Sequence, residues 1–313
     1  MDSLKALRIQ PIDHTASGFD RFTFPRYRAL IAEVIPPDAE KRRVIIGAWL
    51  GDTPIGLALY SLPWGEGLTQ RRLLSVMVTP LLRRQGLAKK MLQAGNTKAA
   101  SLGTTELMCV HSSNLTGKMA FEALLRADGW PAPREFEYRL AGRAGWSALA
   151  LHDWARFLAR LQASGYQSTP WTDITAEDRA QIQQLLADQV TEAERAFDPF
   201  PVETRDTFLP AMSLVLRKHG AVVGWIVGQS GAKANSVHYS NGYVLPSVRR
   251  TGWLVGGVRE VCERQAAHLG PQSLSVFETA DHNTPMRRFM DRNLKPYAEW
   301  TDSRYQTKKR IGG

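Results

Sequence analysis

The sequence predicts an α/β protein of the α+β kind, built as two tandem copies of one domain, each a mixed, mostly antiparallel sheet flanked by helices. Three observations carry this. The pattern V-x-P-x-x-R-R-x-G stands at 78–86 and returns at 244–252, and Asn114 and Asn283 follow it at nearly the same offset, each after a strand-like run. The 313 residues suit two domains of ordinary size. Within each half, runs of strand and helix character follow the order β-α-β-β-β-α-β-α-β.

Taken in order, 7–10 is a first strand, and 19–34 reads as one or two helices before the break at Pro36 and Pro37. Strands at 44–50 and 55–62 flank the turn Gly51, Asp52, Thr53, Pro54. A loop at 63–67 leads to a strand at 73–78; a helix from Ala88, a strand at 107–111, a helix at 116–126 and a strand at 136–140 complete the first copy. Trp154, Phe157, Leu158 and Leu161 share one helical face, which makes 146–165 a bridging segment between domains at 1–145 and 166–313. The second copy places a helix at 176–190, strands at 213–217, 221–228 and 237–244, a helix after Gly252, a strand at 274–279 and a helix at 285–292. Residues 307–313, with Lys308, Lys309 and Arg310, read as a loose tail.

The chemistry centres on the stretch from Val78 to Ala88. A strand ends there, a basic turn follows, and a helix begins whose apolar positions Ala88, Met91, Leu92, Gly95 and Ala99 recur at helical spacing. A helix start carries free N–H groups and about half a positive charge, so an anion there gains hydrogen bonds and a favourable dipole. Gly86 adds no Cβ to hold a ligand away.

These residues resemble the acyl-CoA-binding half of the Gcn5-related N-acetyltransferase (GNAT) superfamily, whose signature Q/R-x-x-G-x-G/A is matched by Arg83, Gly86 and Ala88. The resemblance implies two GNAT-like domains, the first binding an acyl-CoA such as acetyl-CoA. Met77 and Val78 would then hold the pantetheine arm, and Arg84, Gln85, Gly86, Leu87 and Ala88 the diphosphate. Arg83 or Lys89 would lie near the adenosine phosphates, and Asn114 would contact the cofactor. The second copy keeps Arg249 and Gly252 but has Leu254 where the family has Gly or Ala.

The implied reaction is acyl transfer from a thioester to an amine through a tetrahedral oxyanion. A lysine-like amine lies about 3.4 units above neutrality, roughly 4.6 kcal/mol of deprotonation cost at pH 7. The strand at 73–78 contains no acid, and Phe121 and Met290 stand where the family often has an acidic Tyr. His111, Glu278 and His238 are the candidate catalytic residues. Cys109 shares a strand face with His111, which offers a Cys/His nucleophile or a small buried thiol. Trp64 and Trp253, beside loops, are placed to shape a pocket, and acceptor choice is assigned to 19–40 and 189–205.

Composition narrows the rest. Lys and Arg number 40 against 30 Asp and Glu, a net charge of +10 dispersed in doublets, which favours polyanionic ligands over a nucleic-acid tail. An aminoacyl-tRNA or an acyl carrier protein is therefore an alternative donor on the same fold, and a non-catalytic CoA-binding module a further alternative. The partners expected are an acyl-CoA and an amine of a small metabolite or protein, in a monomer or homodimer. Two cysteines without ligand spacing support neither a disulfide framework nor a zinc site. No apolar run reaches the ~20 residues of a membrane span, and the N-terminus lacks a signal-peptide core, so a cytoplasmic protein with no membrane partner is expected.

Overall fold

Alternating apolar residues at the start of each copy build a meander. β1 (Leu7–Pro11), β2 (Ile45–Leu50), β3 (Thr53–Tyr60) and β4 (Gln70–Val78) pair antiparallel in that order. After the basic turn, α1 (Leu87–Ser101) buries Leu87, Met91, Leu92, Gly95 and Ala99 on the sheet, the stripe its spacing predicts. β5 (Glu106–Ser112) then lies parallel to β4, and α2 (Lys118–Ala127) follows. This computed structural model describes residues 6–12, 17–32, 43–146, 153–188 and 197–312. It divides into two compact units, Met1–Phe136 with Ser303–Gly313, and Glu137–Asp302.

In the first unit, α1 and α2 cover one sheet face, where Val78, Leu87, Met91, Leu107, Cys109 and Leu125 are buried together. The opposite face is covered by Phe19, Phe22 and Ile31, packed on Ile45, Leu57 and Leu59. The helices expected at 19–34 are shorter than the pattern predicts. The chain makes 3-10 turns at Asp20–Phe22 and Pro25–Tyr27 and one α turn at Ala29–Ala32, because Pro25 interrupts the run. The rest of that expectation, at 33–34, lies outside the described residues.

β6 (Arg134–Arg143) comes next, followed by α3 (Trp154–Ala163), β7 (Tyr166–Pro170) and α4 (Ala176–Asp188). β8 (Leu214–Lys218), β9 (Ala221–Ser230) and β10 (Ser236–Val244) form the second meander. α5 (Trp253–Leu269), β11 (Leu274–Ala280), α6 (Thr284–Phe289) and β12 (Ala298–Arg310) complete the chain. The last helix is shorter than the 285–292 expected, since a π-helical turn takes over at Met290–Leu294. Trp253 and Trp225 are fully buried in the second core. The indole of Trp253 donates to the Arg217 carbonyl at 3.2 Å, so this residue packs the core instead of shaping a pocket.

Two sequence expectations are corrected by the strand pairing. The strand expected to close the first copy at 136–140 instead runs on to Arg143, and its residues 137–143 pair antiparallel with β11 in the second unit. Their place in the first unit is taken by residues 304–310, which pair with β5 from Ser112 back to Glu106. The segment read as a loose basic tail is therefore a strand. Two of its charges are engaged: Lys309 Nζ lies 3.0 Å from the Asp128 carboxylate and Lys308 Nζ 3.2 Å from Glu106. The Thr307 hydroxyl donates to the Pro131 carbonyl at 2.8 Å.

Two separate arginine–carboxylate contacts, at Asp178 and at Glu203, brace the second unit. Asp178 accepts from the Thr175 amide at 2.8 Å while the Thr175 hydroxyl accepts from the Asp178 amide, a reciprocal cap on α4, and Arg217 ion-pairs with Asp178 at 2.5 Å. Burial pushes the Asp178 carboxyl up, but the Thr175 amide and the Arg217 guanidinium outweigh it and hold it below its usual range. Hydrogen bonds from Arg179 hold Glu203 low against its burial. A depressed carboxyl contributes stability that is complete above the unfolded value of about 4 and is lost as pH falls through the folded values beneath it. The thermal midpoint should therefore drop on acidification below pH ~4, and drop less in Asp178→Asn, as followed by circular dichroism. An equal drop in both proteins would contradict this.

Candidate functional site

The turn between β4 and α1 is shaped by two left-handed residues. Arg83 is extended, Arg84 sits at φ 64° and Gly86 at φ 76°, the last as the N-cap of α1. A left-handed arginine costs on the order of 1 kcal/mol, and alternating turn conformations of this kind aim successive N–H groups into one concavity. Among the described residues, no protein acceptor faces the backbone N–H of Arg84, Gln85, Gly86, Leu87, Ala88 or Lys89. A Cβ built on Gly86 would meet nothing within 4 Å, so the concavity opens outward.

The charge around it has one sign. From Gly67 to Thr105 the chain has no Asp or Glu and carries Arg71, Arg72, Arg83, Arg84, Lys89, Lys90 and Lys98. Arg83 turns back, its Nε donating to the Val78 carbonyl at 3.2 Å. Arg84, Lys89 and Lys90 are exposed and make no ion pair among the described residues. Convergent amides, a helix N-terminus and surrounding cations fit a diphosphate.

Beside the turn, the parallel strands part. β4 and β5 pair only from Gln70↔Glu106 to Leu73↔Cys109, so residues 74–78, including Met77 and Val78, run without a β5 partner. An extended arm that adds to a strand edge finds main-chain groups there. Asn114 is exposed just beyond β5, its amide held by the Ser112 hydroxyl at 2.9 Å. Cys109 is 1% exposed, and burial pushes its thiol up to about 12, so it keeps its proton and the Cys/His nucleophile reading falls.

His111 belongs to this unit, and the other two candidate catalytic residues belong to the second. There His238 Nε2 lies 2.8 Å from the Glu278 carboxylate, across neighbouring strands, with Arg139 opposite Glu278 in register. His111 instead meets Glu122, Phe121 and Tyr305. Sequence reasoning missed Glu122 and Tyr305. Glu122 was visible only as the i+4 partner of Lys118, and Tyr305 lies nearly two hundred residues away in the chain.

The second copy builds the same turn and then closes it. Arg249 repeats the back-bond of Arg83, donating to the Val244 carbonyl at 3.1 Å. Arg249 is helical where Arg83 is extended, and the Thr251 amide, in the place of Gln85, is spent on the Val248 carbonyl. Phe157 and Leu161 of α3 lie on the turn: a Cβ on Gly252 would stand 2.9 Å from the Phe157 ring, and one on Gly256 would stand 2.8 Å from Leu161. Gly252, at φ 94°, is therefore pinned by space and by conformation. Gly252→Ala should destabilise the chain by about 2 kcal/mol, measured by denaturant unfolding, while Gly86→Ala, facing open space, should cost about 1 kcal/mol.

The sequence model of the Acetyltransferase (GNAT) family matches residues 12–122. Along its whole length the chain is similar in fold to a tandem GNAT protein from the clavulanic acid biosynthesis pathway, solved without AcCoA, at 16% identity and TM-score 0.56, covering 98% of this chain and 99% of that one. Over its whole length the chain has the tandem GNAT fold. A GCN5-related N-acetyltransferase from Sphaerobacter thermophilus is similar in fold at 14% identity and TM-score 0.59, over 97% of this chain and 96% of that one. A glucosamine N-acetyltransferase region of a fungal multi-domain β-N-acetylglucosaminidase is similar at 11% identity and TM-score 0.62, covering 98% of this chain and 38% of that one. No curated protein matches the sequence closely enough to count as a relative. Residues 12–122, which the acetyltransferase family model matches, contain the Gly86 turn and the parted strands of this chain. No helix among its described residues is long and apolar enough to cross a membrane.

Proposed function

We propose that this protein is an acyl-CoA-dependent N-acyltransferase whose first unit binds the donor, acetyl-CoA, and transfers its acyl group to an amine. The observation that carries the reading is the set of uncommitted amides from Arg84 to Lys89 around an open Gly86. Arg84, Gln85, Gly86, Leu87 and Ala88 would hold the diphosphate, with Lys89 beside it and Arg83 bracing the turn. Met77 and Val78, on the unpaired side of β4, would hold the pantetheine arm, and Asn114 would stand at the mouth. The thioester is the chemistry that the bound donor supplies. Main-chain N–H groups along the parted strands are suited to stabilise an oxyanion that develops on the acyl carbonyl.

The second unit supports the reading by contrast, because Phe157 lies on Gly252 and the Thr251 amide is taken. One donor per chain follows. Isothermal titration with acetyl-CoA should give a stoichiometry of one, and thiol release should be detected with at least one member of a panel of primary amines. Absence of acetyl-CoA binding defeats the reading. A tRNA-borne or carrier-borne donor would instead show binding that falls steeply with salt, as many phosphate contacts require.

A further inference from the structure

His111 sits on the part of β5 that has left β4, on the face shared with α1 and α2. Its side chain is 3% exposed, and four groups enclose it. The Tyr305 ring, directly opposite in the β5–β12 register, stacks on the imidazole at 5.5 Å and 12°. Phe121 meets it edge-on at 5.6 Å, and the Glu122 carboxylate lies 3.4 Å from Nε2. Lys118 closes the ring of contacts, with Nζ 3.9 Å from the Tyr305 ring centroid and 3.7 Å from Glu122. An aliphatic side chain would fill this position without the desolvation cost that a buried imidazole and carboxylate carry.

We propose that His111 is the catalytic group that hands a proton to the departing thiolate, positioned by Glu122 and, from the far end of the chain, by Tyr305. This rests on the donor reading above. The side of the sheet decides the role. The turn at Gly86 opens α1, and α1 packs with Cys109 and Phe121 on the His111 face, so an arm that leaves the turn along the parted strands brings its sulfur to that side. Phe19, Phe22 and Ile31 cover the opposite face. When the amine nitrogen bonds to the acyl carbon, the carbon–sulfur bond breaks and its electron pair goes to sulfur. With Nε2 facing Glu122, the imidazolium Nδ1–H, 3.3 Å from the Ser112 carbonyl, gives its proton to that sulfur, the extra proton of the new amide leaves to water, and water returns a proton to the imidazole. The charged or titratable groups facing the imidazole are Glu122 and Lys118 from α2 and the Tyr305 phenol from β12, with the Cys109 thiol two residues away on the same strand.

The test uses CoASH as the probe and needs no acceptor. An imidazole within reach of a thiol draws it toward the thiolate at neutral pH, where a free thiol of pKa about 8.5 is almost all protonated. CoASH bound to the wild-type chain should show the ultraviolet thiolate band at pH 7. His111→Gln should abolish the band with CoASH affinity within about twofold, and should lower acetyl-transfer kcat about 100-fold. Glu122→Gln should weaken the band, Tyr305→Phe should keep it, and Tyr305→Ala should lose it. Binding without a thiolate band, or a band undiminished in His111→Gln, would overturn the proposal while leaving the donor reading intact. Failure of the wild-type chain to bind CoASH would overturn the donor reading and the proposal with it.

Discussion

A chain stopped after Asp302 should fail to fold its first unit, although every element from β1 to α2 is still present. The removed strand pairs residue by residue with β5, from Arg304↔Ser112 to Arg310↔Glu106. Without it β5 becomes a bare edge, and exposed edges recruit other chains. The Asp128 carboxylate, 2% exposed, loses the Lys309 ammonium and keeps, among the described residues, the neutral donors Asn96 at 2.9 Å and Trp130 at 3.1 Å. Breaking a buried pair on one side costs about 3 kcal/mol, a large share of the roughly 5–15 kcal/mol that holds a domain together. Lys309→Met isolates this term, with an expected loss of about 3 kcal/mol in denaturant unfolding. The truncated chain should be recovered as aggregate, or should melt at least ~10 °C lower. A soluble truncated protein with an unchanged melting curve would show that the strand is dispensable.

Gly86→Glu should lower acetyl-CoA affinity at least ~100-fold, nearly 3 kcal/mol, with little change in fold. The new side chain points into space where a Cβ has no neighbour within 4 Å, so no atom of the protein is displaced. The left-handed φ of 76° adds on the order of 1 kcal/mol of strain. The binding loss comes from charge: a carboxylate tethered at the mouth of the turn competes for the same amides and repels the ligand's phosphates. Gly86→Ala, which adds bulk without charge, should lose less than Gly86→Glu. Titration calorimetry and thermal unfolding on the same samples separate the two effects. Unchanged affinity in Gly86→Glu would remove the turn from the donor site.

The turn was readable in the sequence because its determinants are local. Gly86 allows the left-handed cap, Pro80 starts the 3-10 turn, and the apolar stripe of α1 fixes the face that packs. The meander and the repeat were readable for the same reason. What escaped was non-local. Residues 307–313 open with three basic residues in succession after Thr307, which reads as a solvated tail until Asp128, Pro131 and Glu106 are placed against it. Phe157 was recognised as one member of a helical face, but nothing in its spacing says that the face covers Gly252. The pairing of His238 with Glu278 and of His111 with Glu122 likewise depends on which strands and helices become neighbours.

The exchange of end strands also fixes an order of events during synthesis. When the ribosome has produced residue 136, the unit that started first still lacks a border strand, and it must wait in an unfinished state while the whole of Glu137–Asp302 is made. Translation therefore completes the later unit before the earlier one. A pause, a frameshift or a bulky fusion close to Tyr305 would injure the part of the protein encoded farthest from it.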